Sequence, residues 1–196
     1  MTDEALASAS VEELFTEAGA MLDGHFALKS GRHAGRYLEK FLVLQHPRFG
    51  VEICRRLAVA LGPYSPTLVV GPTTGGVLLS FETARQLGGS VRAAFAESLD
   101  TGGRALRRGW RVAPDERVAI VDDILTTGTS LLETVEAVRA AGAEPVAAAV
   151  IVDRSGSLFD LGLPLHALGN LSIPSCEPDE CELCAAGIAL RKPGSS

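Results

Sequence analysis

Lysine is nearly missing from this chain: of 196 residues only Lys29, Lys40 and Lys192 are lysines, and 24 acidic against 18 basic side chains leave a formal net charge of −6. Sequence-independent binding to nucleic acid needs a positive surface field. Nucleic acid is therefore not an expected partner, and any phosphorylated ligand must be held by a local cluster of donors. Cysteine is scarce too, and Cys54, Cys176, Cys181 and Cys184 are unevenly placed, unlike the framework of a secreted disulfide-stapled domain. No hydrophobic run suits a bilayer, because the most apolar stretch, 135–152, is broken by Arg139, Glu144 and Pro145. The acidic opening MTDEALASASVEELF lacks the basic-then-apolar order of a signal peptide. No membrane contact and a cytoplasmic location are the expectations. Repeats, low-complexity tracts and long linkers are also missing.

What is present is a globular composition, 46% hydrophobic and 21% charged, in a length that suits one α/β domain. Ser10 and Glu13 have capping-box spacing, and Val11, Leu14, Phe15, Ala18 and Leu22 predict a helix ended by Gly24. Residues 25–44 read as a strand, a turn and a second strand, and Pro47 opens a helix to about Leu61. Apolar strands then alternate with helices: strands at 67–71, 91–96, 117–121 and 146–152, helices at 76–87 and 129–141. Strands apolar along their whole length imply a parallel sheet covered on both faces. Ligands of such sheets bind in the loops after the strands.

The loop after the third of these strands is the most informative. In VAIVDDILTTGTS (118–130) an apolar strand ends in Asp122 and Asp123, and Thr126, Thr127, Gly128, Thr129 and Ser130 lead into a helix. Backbone N–H groups at a helix N-terminus, with hydroxyls and a glycine, make a phosphate cradle. Carboxylates one loop away have the reach for ribose hydroxyls. A plain capped helix after a strand would use the same Thr and Ser, but it gives no reason for adjacent acids at a buried strand end. GPTTGG (71–76) is a second glycine-rich strand-to-helix turn.

The 118–130 segment resembles the 5-phosphoribosyl-1-pyrophosphate (PRPP) signature of type I phosphoribosyltransferases. The resemblance implies that family's fold, a parallel sheet flanked by helices with a small hood. In a single domain spanning 1–196, the core would be about 47–170 and the hood about 10–46 and 171–196. It implies that Asp122 and Asp123 contact the ribose 2′- and 3′-hydroxyls, that 126–130 hold the 5′-phosphate, and that Thr73, Thr74, Gly75 and Gly76 take the pyrophosphate. FALKSGR (26–32) resembles the orotate-site motif of the orotate enzymes, with Lys29 near orotate and pyrophosphate and Tyr37 beside the base. LRRGWR (106–111), in the polar stretch 97–116, resembles their mobile catalytic loop, and the tail LRKPGS (190–195) resembles their C-terminus. Arg154 matches the position that pairs with the orotate carboxylate, where a guanidinium fork binds bidentately, and Thr126 would also face the base. The pyrophosphate loop carries Thr74-Gly75 where many members have a lysine, and Glu97-Ser98 stand where a basic pair often opens the mobile loop. Arg104, Arg107 and Arg108 would supply that loop's charge.

The resemblance implies transfer of phosphoribose from PRPP to orotate, giving orotidine 5′-monophosphate and pyrophosphate, with Mg²⁺ held mainly by PRPP and a homodimer as the assembly. A purine phosphoribosyltransferase and a non-catalytic PRPP-sensing regulator remain the alternatives. Arg154 and the Lys29 motif speak against the first, and the negative charge speaks against the second.

Cys176, Cys181 and Cys184 form a C-x4-C-x2-C array that could hold zinc with Cys54 or a histidine as fourth ligand. With a single C-x-x-C, reduced thiols or a reversible Cys181–Cys184 pair are the simpler expectation. His25, His33, His46 and His166 show no ligand spacing and read as loop or surface residues.

Overall fold

A computed structural model describes residues 1–28, 30–156 and 159–192. Two capped helices open the chain. α1 (Asp3–Ser8) is capped by the Thr2 hydroxyl, and α2 (Val11–Glu17) has a full capping box between Ser10 and Glu13. The apolar spacing predicts α2 as far as Leu22, but the helix stops at Glu17. Gly19 turns the chain at φ +64°, a conformation that costs glycine little. Residues from Met21 onward then pair as β1 (Met21–Ala27) with antiparallel β2 (His33–Leu38), and Gly24 lies inside the strand. Cross-strand pairing outweighs the local helical pattern here. α3 (Lys40–Leu44) follows directly, capped by the Glu39 carboxylate, which accepts from Phe41 N–H.

α4 (Pro47–Leu61) has proline in its first turn and buries Phe49, Ile53, Leu57 and Leu61. Arg56 on its flank donates to Glu52 and to the carbonyls of Leu6 and Ala9, pinning the N-terminal helices to α4. Then come β3 (Leu68–Pro72), α5 (Gly75–Leu87), β4 (Arg92–Ser98), β5 (Arg104–Leu106), β6 (Val118–Leu125), α6 (Thr129–Ala140), β7 (Pro145–Asp153) and β8 (Leu165–Asn170). They form one sheet in the order β5-β4-β3-β6-β7-β8, parallel except for β5. Alternation along the strands divides the core. Val69, Ala119, Val121, Ala149 and Ile151 pack toward α4 and α5, while Val70, Val118, Ile120, Ala148 and Val150 join the side chains of α6. Both faces are covered, as whole-length apolar strands require.

Two strands differ from the sequence expectation. β5 forms an antiparallel hairpin with β4, so part of the polar 97–116 stretch is ordered sheet edge. β8 extends the sheet at the other edge with a half-buried, mixed pattern that periodicity does not flag. The chain closes on β9 (Ser175–Cys176), which joins β2 in a three-stranded antiparallel sheet, and on α7 (Glu182–Ala185). Among the described residues no helix is long and apolar enough to cross a membrane.

Candidate active site

The chain leaves β3 toward β4 on one side and β6 toward β7 on the other. The crevice between the ends of β3 and β6 is therefore the topological switch point, where open α/β sheets bind ligands. The loops 73–76 and 126–130 flank it. β6 runs on through both acids: Asp122 pairs in register with Val150, and Leu125 with Asp153. Asp122 and Asp123 are thus held by sheet, and both are buried.

Asp122 accepts from the Ser130 hydroxyl at 2.5 Å and from the Asp123 N–H at 2.8 Å. Burial, then the neighbouring Asp123, push its pKa up to about 6. Asp123 faces the crevice and is paired with Lys40 Nζ at 2.7 and 2.9 Å to its two oxygens. The Asp123 carboxylate also lies against the first residue of α5, where a Cβ on Gly75 would collide with it. Gly71 and Gly76 close the same loop, since a Cβ on Gly71 would come 2.7 Å from Gly76 Cα. The peptide between Thr73 and Thr74 is cis.

Neither helix that meets the crevice has a side-chain cap or an acid in its first turn: α5 starts from Thr74 and α6 from Gly128 at φ +78°. Their first N–H groups therefore point toward the crevice with the positive end of each helix dipole, an arrangement suited to phosphate. Thr126, Thr127 and Thr129 are exposed around the second cradle, with Thr127 and Thr129 hydroxyls 3.0 Å apart.

Arg154 follows β7 directly, and its backbone N–H donates to Leu125 O at the end of β6 at 2.8 Å. That bond fixes the Arg154 backbone beside the end of β6 that carries the two acids. Its Nε is buried without a hydrogen-bond partner among the described residues, and burial lowers its pKa from the ordinary arginine value while nearby Tyr37 opposes this. Tyr37, on β2, is half-buried and stacks at 5.6 Å on Phe26. Burial and then Glu39 raise its pKa, and it also feels Lys40, Arg154 and Asp123. The hood and the sheet thus gather Tyr37, Lys40, Asp123 and Arg154 into one place.

Lys29 lies outside the described residues. Arg107 and Arg108 are exposed, and Arg108 is held in a bidentate pair by Glu97 at 2.7 and 3.1 Å. Neither guanidinium reaches the acids or the two loops among the described residues. Arg104, in contrast, donates to Thr73 O and Oγ1 at 3.3 and 3.2 Å, and so buttresses the 73–76 loop from β5. Lys40 is the residue that motif reading passes over. Its signal was rarity, as one of three lysines, but nothing local in the sequence links it to Asp123.

His25 and His33 are strand residues, not the loop or surface residues expected from the sequence. His25 and His33 are buried, at 1% and 7% exposure, because they sit on β1 and β2 and point under the C-terminal segment. Cys181 and Cys184 meet them there. Cys176 instead directs its thiol to His33 O at 3.7 Å, and Cys54 lies in the core near Leu79 O, its pKa pushed up to about 12 by burial.

A family model of the phosphoribosyl transferase domain matches residues 43–160. The chain is 46% identical to an orotate phosphoribosyltransferase of Pelotomaculum thermopropionicum over 182 residues, 93% of this chain and 94% of that one. The crystal structure of orotate phosphoribosyltransferase from Aeropyrum pernix matches with a TM-score of 0.66 at 27% identity, covering 82% of this chain and 93% of that one. The Mycobacterium tuberculosis orotate phosphoribosyltransferase in complex with PRPP shares the fold, with a TM-score of 0.66 at 24% identity over 82% of this chain and 95% of that one.

Proposed function

The chain belongs to the orotate phosphoribosyltransferases of the phosphoribosyltransferase family, and on that premise we propose that it transfers phosphoribose from PRPP to orotate, a step of UMP synthesis. The observation that carries the choice of base is Arg154: a half-buried guanidinium whose Nε has no hydrogen-bond partner among the described residues, near the Tyr37 ring and at the end of β7, beside the strand that carries the two acids. A buried cation without an anion is costly, and the carboxylate of orotate supplies the missing partner with a geometry that a guanidinium fork matches. A neutral purine would leave the charge unpaired.

In this reading the 126–130 cradle binds the 5′-phosphate, Asp122 and Asp123 take the ribose hydroxyls, and the 73–76 loop takes the pyrophosphate. Tyr37 and Lys29 flank the base. Displacement at the ribose C1 passes through an oxocarbenium-like state, and the acids orient the sugar without attacking it. As the bond breaks, negative charge grows on the pyrophosphate, where the N–H groups of α5 face it. Arg107 and Arg108 are the mobile cations that would close over it, which requires Arg108 to leave Glu97. Enzymes of this family generally use Mg²⁺. The Asp123 carboxylate against the α5 N-terminus provides a hard oxygen donor at the pyrophosphate end of the crevice, which fits such an ion carried mainly by PRPP. When bound, Mg²⁺ would neutralise leaving-group charge.

A cytoplasmic homodimer is part of the same proposal. Val59 on α4 and Leu78 and Phe81 on the adjacent α5 are all more than half exposed, an apolar surface on neighbouring helices that suits a second copy of the chain. An assay with PRPP, Mg²⁺ and either orotate, adenine, hypoxanthine, xanthine or uracil tests the activity. Consumption of orotate alone is expected, and turnover of a purine would discard the role given to Arg154.

A further inference from the structure

Under the hood, four side chains from three separate segments converge without an apolar core of their own. His25 Nε2 lies 3.1 Å from His33 Nδ1, 3.4 Å from Cys181 Sγ and 3.7 Å from Cys184 Sγ, and Cys184 Sγ lies 3.3 Å from His33 Nδ1. All four atoms fall within 4.8 Å of one another. A tetrahedral zinc ion with Zn–N of about 2.05 Å and Zn–S of about 2.3 Å would set its ligand nitrogens about 3.3 Å apart and nitrogen and sulfur about 3.5 Å apart. The four observed edges scatter around those lengths. We propose that His25, His33, Cys181 and Cys184 form a closed structural zinc site.

Three further observations support it. The first is the outer hydrogen bond. His25 Nδ1 is 2.8 Å from Ile188 O, and a carbonyl only accepts, so Nδ1 carries the proton and the Nε2 lone pair points into the cluster. An outer partner that fixes the tautomer in this way is the usual support of a ligating histidine. The second is charge: two neutral imidazoles and two thiolates around Zn²⁺ sum to zero, which suits a site where His25, His33 and Cys181 are all buried.

The third is what surrounds the cluster. The local secondary structure is minimal: β9 has two residues and α7 four. The buried apolar side chains of the β1–β2 hairpin nearest to it, Phe26 and Ala34, belong to none of the three core clusters. Such a small unit needs a cross-link. Zinc here would tie the C-terminal segment to the hairpin, where Arg191 also exchanges backbone hydrogen bonds with His25 and Ala27. The C-x-x-C of 181–184 is then half of a site whose other half is His-x7-His on the hairpin. Cys176 neighbours Cys181 closely enough to hydrogen-bond with it but is not one of the four converging ligands. The site is independent of the transferase reading and carries no catalytic role.

The test uses the full chain without an affinity tag, purified without chelator and analysed for metal by mass spectrometry. One zinc per chain is expected, with Cys181 and Cys184 protected from alkylation until the metal is removed. Cobalt(II) in place of zinc should give the intense visible bands of a tetrahedral ion and a thiolate charge-transfer band. Cys184→Ser and His25→Ala should lower zinc occupancy about tenfold or more, while Cys176→Ser should keep it. Because a ligand variant can fail to fold, the wild-type metal content and cobalt spectrum decide the matter alone. A zinc-free wild type that takes up no cobalt with tetrahedral character, or one in which Cys181 and Cys184 are joined as a disulfide, would overturn the proposal.

Discussion

Lys40 holds both oxygens of Asp123, so a ribose hydroxyl that reaches this carboxylate must share it with the ammonium. Lys40 also lowers the pKa of Asp122, against the larger effects of burial and Asp123. Replacing Lys40 by Met should therefore raise the apparent pKa of Asp122 further and weaken PRPP binding about tenfold or more; titration by carboxyl-resolved NMR and PRPP binding calorimetry report the two effects separately. Asp123→Asn should lower turnover by about two orders of magnitude or more while leaving the fold intact. Near-normal turnover with an unchanged circular dichroism spectrum would remove Asp123 from the ribose site.

Asp122 also predicts a pH dependence of stability. Its folded-state pKa of about 6 lies above the ordinary value of 3.8. Between those values the folded chain holds a proton that the unfolded chain has released, so unfolding free energy falls as pH rises. This contribution is fully present below about pH 4 and lost as pH passes about 6. In denaturant titrations at several pH values, Asp122→Asn should flatten that part of the profile relative to the wild type. At Arg154 stability and function should part company. Arg154→Met removes an under-paired buried charge and should leave stability unchanged or slightly higher, yet lower kcat/KM for orotate about 100-fold.

Among the elements, those whose residues carry their own signals were legible. Pro47 at the start of α4, the capping box of α2, and the apolar strands at β3, β6 and β7 are encoded within a few residues. The ends of elements were less so. β6 runs past Val121 into two acids because β7 pairs with it that far, and no local preference would place adjacent carboxylates in a strand. The shift from helix to strand after Glu17 and the β5 and β8 edges likewise depend on partners distant in sequence.

The site divides along the same line. Asp122, Asp123 and the two loops lie in contiguous motifs, whereas the Lys40–Asp123 pair spans 83 residues. The His25–Cys181 approach spans 156. Only the folded topology joins them. At the cradle, Gly128 is needed both for φ +78° and for room, because a Cβ there would enter the Phe159 ring. Gly128→Ala should cost about 1 kcal/mol or more in stability and disturb the 126–130 loop proposed to hold phosphate, seen as a lower melting temperature with a raised KM for PRPP.

For the whole molecule, the sheet order places one crevice between β3 and β6, and the hood supplies Tyr37 and Lys40 across it. Leu78 and Phe81 lie on the exposed side of α5, away from its buried Leu79, Ser80, Thr83 and Ala84. Phe81→Glu should convert a sedimenting dimer to monomer. If the wild type is already a monomer at micromolar concentration, that surface has another use.

The most direct test of the central claim is the loss of orotate absorbance with release of pyrophosphate, followed in the presence of PRPP and Mg²⁺ for the wild type and Arg154→Met together. The account predicts rapid loss with the wild type, a rate about 100-fold lower for the variant at low orotate, and no reaction with adenine, hypoxanthine or xanthine. A wild type that ignores orotate, or a variant that uses it equally well, would contradict it.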